Sequence, residues 1–144
     1  MTITEDAYLK LLSLPKVPPE TGGLLGRHNG VIDSVYFDKS VQMLQQAVYV
    51  PDIDALNIQL SEWEGNTDFS GIFHSHLPDS AGLSGEDVRY INLIMMSMPW
   101  HISELYFPIV LPGQRILAFR AKNQNNQIFI IEDKITVVKK GRSL

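Results

Sequence analysis

Tyr8, Leu9, Leu11 and Leu12 gather on one side of a helical wheel, and Thr2 with Glu5 has capping-box spacing. The pattern predicts an opening helix over residues 5–14. Pro15, Pro18 and Pro19 stop it. Residues 21–28 then read as a strand. Asn29-Gly30 is a two-residue hairpin signal that returns the chain as a second strand over 31–37. Beyond an irregular stretch, residues 47–50 read as a short extended segment. Pro51 and Asp52 open a second helix, with Ile53, Leu56, Leu60 and Trp63 at helical spacing and Gly65 at its end. Residues 69–76 form a predicted strand and 85–98 a third helix. That helix is apolar over much of its surface (Val88, Ile91, Leu93, Ile94, Met95, Met98), so it is expected to be well buried. The remainder reads as strands over 105–111, 116–122, 128–132 and 135–138, divided by Pro112-Gly113 and an Asn-rich turn at 123–126.

Three helices and about seven strands, with no repeat, low-complexity tract or linker, describe one mixed α/β or α+β domain over residues 1–144. The chain is 44% hydrophobic and 19% charged, which supplies a core and excludes disorder as the dominant state. A net charge of −4 argues against a general nucleic-acid binder, because phosphate contacts need a basic face. The charge is uneven. Residues 1–72 carry 4 basic and 10 acidic groups, and residues 73–144 carry 8 and 6. Lys134, Lys139, Lys140 and Arg142 make the end basic, and residues from about 139 onward read as a solvated tail. There is no cysteine, which excludes disulfide scaffolds, thiolate zinc sites, iron–sulfur clusters and cysteine nucleophiles. The acidic start lacks the basic region and apolar run of a signal peptide. The longest uncharged stretch, 90–103, is too short to span a bilayer and contains Pro99. A cytoplasmic protein with no membrane partner is expected.

The chemistry concentrates in Gly71-Ile72-Phe73-His74-Ser75-His76 and, further on, Ser84-Gly85-Glu86-Asp87. Side chains at i and i+2 of a strand leave the same face, so His74 and His76 aim two imidazoles at one point. If Ser84 caps the third helix, Asp87 falls in its first turn, near the end of the preceding strand. On their own, Ser84 and Asp87 are explained by helix capping. Beside two histidines on one face, the aspartate completes a three-ligand set that leaves a fourth tetrahedral position for water, as in a catalytic zinc site. A hydrolase also needs a base, and Glu20 in Pro18-Pro19-Glu20-Thr21-Gly22-Gly23-Leu24-Leu25-Gly26 is the candidate. His28 and His101 read as bystanders, and Met95, Met96 and Met98 as packing.

Glu20, His74-Ser75-His76, seven residues, Ser84, two residues and Asp87 reproduce the Glu…His-x-His-x7-Ser-x2-Asp pattern of the JAMM motif. With the flanking Glu-Thr-Gly-Gly-Leu-Leu-Gly and Phe-Ser-Gly-Ile-Phe-His-Ser-His, the chain resembles the JAB/MPN metalloprotease family over about residues 3–122. One departure is Leu77, where family members often have proline; here proline is delayed to Pro78. The resemblance implies a three-layer sandwich of cytidine-deaminase-like topology, with a central mixed sheet and about three helices. It implies one Zn2+ per chain held by His74, His76 and Asp87, with Glu20 as general base and then acid, and Ser84 stabilising the oxyanion. The implied activity is that of a free-standing, bacterial-type isopeptidase or peptidase. Its substrate would be a ubiquitin-like protein or its conjugate, cut by zinc-activated water at an amide of the C-terminal tail. Two alternatives stand beside it: removal of a small adduct, such as an amino acid, from a ubiquitin-like sulfur carrier, and a non-catalytic MPN-type scaffold. The complete ligand set argues against the scaffold. A cytidine deaminase would want a Cys-x-x-Cys that this chain cannot supply.

Overall fold

The computed structural model describes residues 1–16, 20–38, 52–76 and 82–139. The expected segment at 47–50, the breakers Pro18, Pro19 and Pro51, Leu77 with Pro78, and the basic Lys140 and Arg142 lie outside these residues. The described elements run β1 (Thr2–Thr4), α1 (Glu5–Leu12), β2 (Gly22–His28), β3 (Val31–Asp38), α2 (Ile53–Trp63), β4 (Asp68–Ser75) and α3 (Gly85–Ser97). They continue as β5 (Glu104–Tyr106), β6 (Ile109–Leu111), β7 (Arg115–Gln124), β8 (Gln127–Asp133) and β9 (Thr136–Val138). The fold is thus a mixed α+β architecture, with one large mixed sheet and three helices among the described residues.

The helix starts follow local chemistry, with one correction. Thr4, not Thr2, caps α1, accepting the Ala7 N–H on its side chain. Thr2 is drawn into β1, which pairs parallel with both β3 and β9, so the chain is still extended there. Asp52, expected with Pro51 to open α2, is its N-cap and accepts from the Ala55 N–H. Asn29 and Gly30 both adopt positive φ, 51° and 79°, the conformation a tight hairpin between β2 and β3 requires. Asn125 and Asn126 do the same at the β7–β8 turn.

The expected single strand over 105–111 is broken. β5 and β6 both lie between β4 and β7, parallel to the first and antiparallel to the second. Between them stand Phe107 and Pro108, and a proline has no N–H for the ladder. The carbonyl of Pro108 still accepts from the His74 N–H at 3.2 Å, and the Phe107 N–H donates to Phe119 at 2.7 Å. The break therefore leaves the line of the sheet intact.

Adjacent strand residues face opposite ways, and this splits the core in two. Leu25, Phe73, Val110 and Ile116 pack with Met1, Ile3, Ala7 and Leu11 on the α1 side. Leu24, Ile72, Leu105 and Phe107 pack with Leu56, Ile91 and Met95 on the side of α2 and α3. α3 is less buried than its composition suggests. Ile91 and Met95 are covered, whereas Leu93 and Met96 are 68% and 55% exposed. A helix lying on one sheet face covers a single stripe of its own surface, and nothing caps the other side of α3 among the described residues. Ile53, expected on the buried stripe of α2, is also exposed.

The sheet curls until its two ends approach each other. β8 pairs with β7 at one end and β9 with β1 at the other, yet only Lys134 and Ile135 separate β8 from β9. The amino group of Met1 lies across this seam, 2.7 Å from Asp133 Oδ2 and 2.6 Å from the Lys134 carbonyl.

Close strand approach depends on Gly23. It lies between Phe37 of β3 and Phe73 of β4, whose rings meet edge to face at 5.8 Å. A β-carbon there would fall 1.8 Å from the Tyr36 carbonyl oxygen, a backbone atom that cannot turn aside. Gly23→Ala is therefore expected to destabilise the fold by about 1–3 kcal/mol, the usual cost of overpacking. Urea denaturation of the two proteins checks this, and an unchanged midpoint would contradict the packing described.

Candidate metal centre

β4 and β6 run parallel with α3 in the connection between them, so the N-terminus of α3 comes back to the carboxyl end of β4. Open sheets commonly place ligands at this position. His74 lies near the end of β4 and His76 just beyond it, on the side of α2 and α3, two residues apart as the strand period demands. Their backbones are held by β6: the His74 N–H donates to Pro108 and the His76 N–H to Val110, at 3.2 and 2.9 Å.

Asp87 enters from α3. Ser84 is the N-cap, its hydroxyl oxygen accepting the Asp87 N–H at 3.1 Å, while Asp87 Oδ2 accepts the Ser84 N–H at 2.9 Å. This is a reciprocal capping box. The same carboxylate faces both imidazoles, with Oδ1 3.2 Å from His74 Nε2 and Oδ2 3.2 Å from His76 Nε2. The two Nε2 atoms are 2.8 Å apart. The carboxylate that caps α3 is thus also the one that faces both imidazoles. Burial alone would raise the Asp87 pKa, but hydrogen bonds with His74, His76 and the Ser84 N–H outweigh it. They hold the carboxyl far below the ordinary carboxylate range. The ligand is therefore an anion at any physiological pH.

The donor set fits a small divalent cation. His74, His76 and Asp87 each offer one ligand atom, all within 4.8 Å of one another. Tetrahedral zinc with bonds of about 2.0–2.1 Å requires its ligand atoms roughly 3.3 Å apart, close to the separations found here. His76 is almost wholly covered, while the outer sides of His74 and Asp87 remain partly open.

Glu20 immediately precedes Thr21, whose carbonyl accepts the Ser75 N–H at 2.7 Å. Gly22 is paired with His74, and the Thr21–Ser75 hydrogen bond carries the antiparallel contact one residue further, so Glu20 stands next to the last contact between β2 and β4. Gly22 also pairs with Asp38 on β3, so Asp38, Gly22 and His74 form one row, in which only the glycine lacks a side chain. Asp38 is buried and accepts the Asp52 N–H at 2.9 Å, fixing the start of α2 beside this face. Tyr90, one turn after Asp87, has its phenol pKa raised by burial and, secondarily, by the charge of Asp38.

The remaining histidines stand apart. His28 is exposed and binds the Asp33 carboxylate at 2.8 Å, which together with weaker contacts raises its pKa. His101 is exposed against Trp100. Met95 is packed in the core, as the sequence suggested. An apolar groove of about 560 Å³, lined by Trp63, Phe69, Met98, Pro99 and Ile102 among others, lies at the opposite end of β4 from the histidines. Sequence reasoning missed the Thr21–Ser75 contacts, for which the only signal was a hydroxyl between the two histidines.

No protein-family model matches the sequence, and no curated protein matches it. The fold is similar to that of solved structures. One is protein DSY2949 from Desulfitobacterium hafniense, 21% identical, with a TM-score of 0.69 over 96% of this chain and 93% of that one. Another is a protein from Salinibacter ruber (strain DSM 13855), 18% identical, with a TM-score of 0.58 over 100% and 95% of the two chains. At such identities the likeness concerns the fold alone. Among the described residues, no helix is long and apolar enough to cross a membrane.

Metal-replete protein is expected to carry one zinc per chain by elemental analysis. His74→Ala/His76→Ala should abolish this binding, because a lone carboxylate cannot hold the ion. Full zinc retention by the double variant would remove the site.

Proposed function

We propose that the chain is a zinc metallopeptidase of the JAMM type with JAB/MPN topology. It would hydrolyse an amide bond at the C-terminal tail of a ubiquitin-like protein. The observation that carries the reading is the convergence of His74 Nε2, His76 Nε2 and the Asp87 carboxylate within 4.8 Å. Two imidazoles and one carboxylate also suit non-haem iron. A glutamate one residue before the Thr21–Ser75 contact, and a serine bonded to Asp87, favour hydrolysis over redox chemistry.

His74, His76 and Asp87 would hold the zinc, which supplies Lewis acidity and a water that ionises near neutral pH. Glu20 takes the proton from the attacking water on its carboxylate and returns it to the nitrogen of the leaving amine. The Ser84 hydroxyl uses its oxygen to accept the Asp87 N–H, so its own proton remains to be donated to the substrate carbonyl oxygen as charge develops there. No covalent intermediate is required, in keeping with a chain that has no cysteine. The residues support metal-assisted hydrolysis; the ubiquitin-like substrate comes from the motif resemblance. An extended tail suits a site at a strand end, where main-chain hydrogen bonds hold a peptide with little demand on its side chains.

Glu20→Gln is expected to keep its zinc and to lose turnover by about 10²–10⁴-fold, the usual cost of removing a general base. The assay is mass spectrometry on ubiquitin-like proteins carrying an extension after a C-terminal Gly-Gly. Near-normal cleavage by the zinc-loaded variant would exclude Glu20 from the chemistry. Tail variants with Gly→Leu should be cut poorly, since a side chain obstructs close approach to the metal. Cleavage of both tails at equal rates would overturn the proposed specificity.

A further inference from the structure

We propose that Ser75, the residue between the two histidines, is a positioning residue that holds Glu20 in place through Thr21. The last rung between β2 and β4 is irregular. The Ser75 N–H donates to the Thr21 carbonyl at 2.7 Å, as a ladder would have it. The Thr21 N–H, however, donates to Ser75 Oγ at 2.8 Å, and the two hydroxyl oxygens are 3.4 Å apart. A side-chain hydroxyl thus takes a hydrogen bond at the point where β2 leaves the sheet. Ser75 is 2% exposed, so water has little access to replace it.

Strand alternation turns the Ser75 side chain away from the face of His74 and His76, so the serine is not itself a ligand. The histidine backbones are secured on the other side, by Pro108 and Val110. Removing the Ser75 hydroxyl therefore loosens the strand that leads to Glu20 and leaves the ligand strand attached to β6. Upstream of Glu20 stand Pro18 and Pro19, neither of which has an N–H to contribute to a ladder. Thr21 is the nearest residue whose backbone is seen to anchor Glu20. Metal binding and proton transfer consequently depend on different neighbours of the same strand.

The effect on turnover rests on the hydrolase reading, whereas the contact itself does not, so the experiment measures both. Full-length Ser75→Ala and Ser75→Thr are compared with the unaltered chain, loaded with zinc for kinetics and with cobalt(II) for NMR. In Ser75→Ala the Thr21 amide should exchange with solvent at least about tenfold faster, and the pseudocontact shift of the Glu20 amide should move, while those of α3 stay fixed. Zinc content and KM should hold while kcat falls. Ser75→Thr, which keeps the hydroxyl, should restore all of these values. Unchanged Thr21 exchange or an unmoved Glu20 shift in Ser75→Ala would overturn the proposal whatever the substrate proves to be. Loss of zinc in step with turnover would overturn it too, by making Ser75 a support of the ligands. Failure of the hydrolase reading shows separately, as absence of cleavage by the zinc-loaded unaltered chain.

Discussion

The Asp87 carboxylate accepts the Ser84 N–H and faces two imidazoles, so one group both starts α3 and closes the site. Everything around it is arranged to make that double use affordable. The first turn of a helix favours a negative charge, and the paired imidazoles give the half-buried anion the partners that burial demands. The helix cannot begin elsewhere without taking the carboxylate away from the histidines. The histidines, in turn, are fixed by hydrogen bonds to Pro108 and to Val110 of β6, further along the chain beyond α3. The crossover from β4 through α3 to β6 is therefore a closed loop of constraints, with the candidate metal position inside it.

The clustering of His74, His76 and Asp87 was legible in the sequence because its determinants are local. The strand period sets His74 and His76 on one face, and Ser84 with Asp87 is a capping signal that the structure reproduces. The hairpin at Asn29-Gly30 and the cap at Asp52 were legible for the same reason. What escaped was long-range. Thr2 had the spacing of a cap, but pairing between chain segments more than a hundred residues apart claimed it for β1. The strand over 105–111 was interrupted where Pro108 cannot donate. The burial of α3 was overstated because an apolar sequence reports affinity for a core, and how many neighbouring layers exist depends on topology. The Thr21–Ser75 rung needs both strands in register before it exists at all.

The two glycines after Thr21 show how one short sequence serves both sides of the sheet. Gly22 leaves space in the row shared by Asp38 and His74, and Gly23 allows Phe37 and Phe73 to meet on the opposite face. Folds similar at 18–21% identity establish that this framework recurs. They say nothing of the chemistry, because function resides in particular side chains mounted on a fold. Here the three candidate ligands come from the end of β4 and the first turn of α3.

The curled sheet bears on how the protein is made. Of the described strands β1 comes earliest in the chain, yet one of its two partners, β9, comes last. The α1-side core contains Met1 and Ile3, so its edge stays open to solvent until translation has passed residue 138. The three candidate ligands all lie between residues 74 and 87, and emerge from the ribosome far earlier. Vectorial synthesis thus separates in time the availability of the three clustered side chains from the closing of the sheet. A nascent chain stalled between these two points would expose ligands and an unsealed apolar edge together.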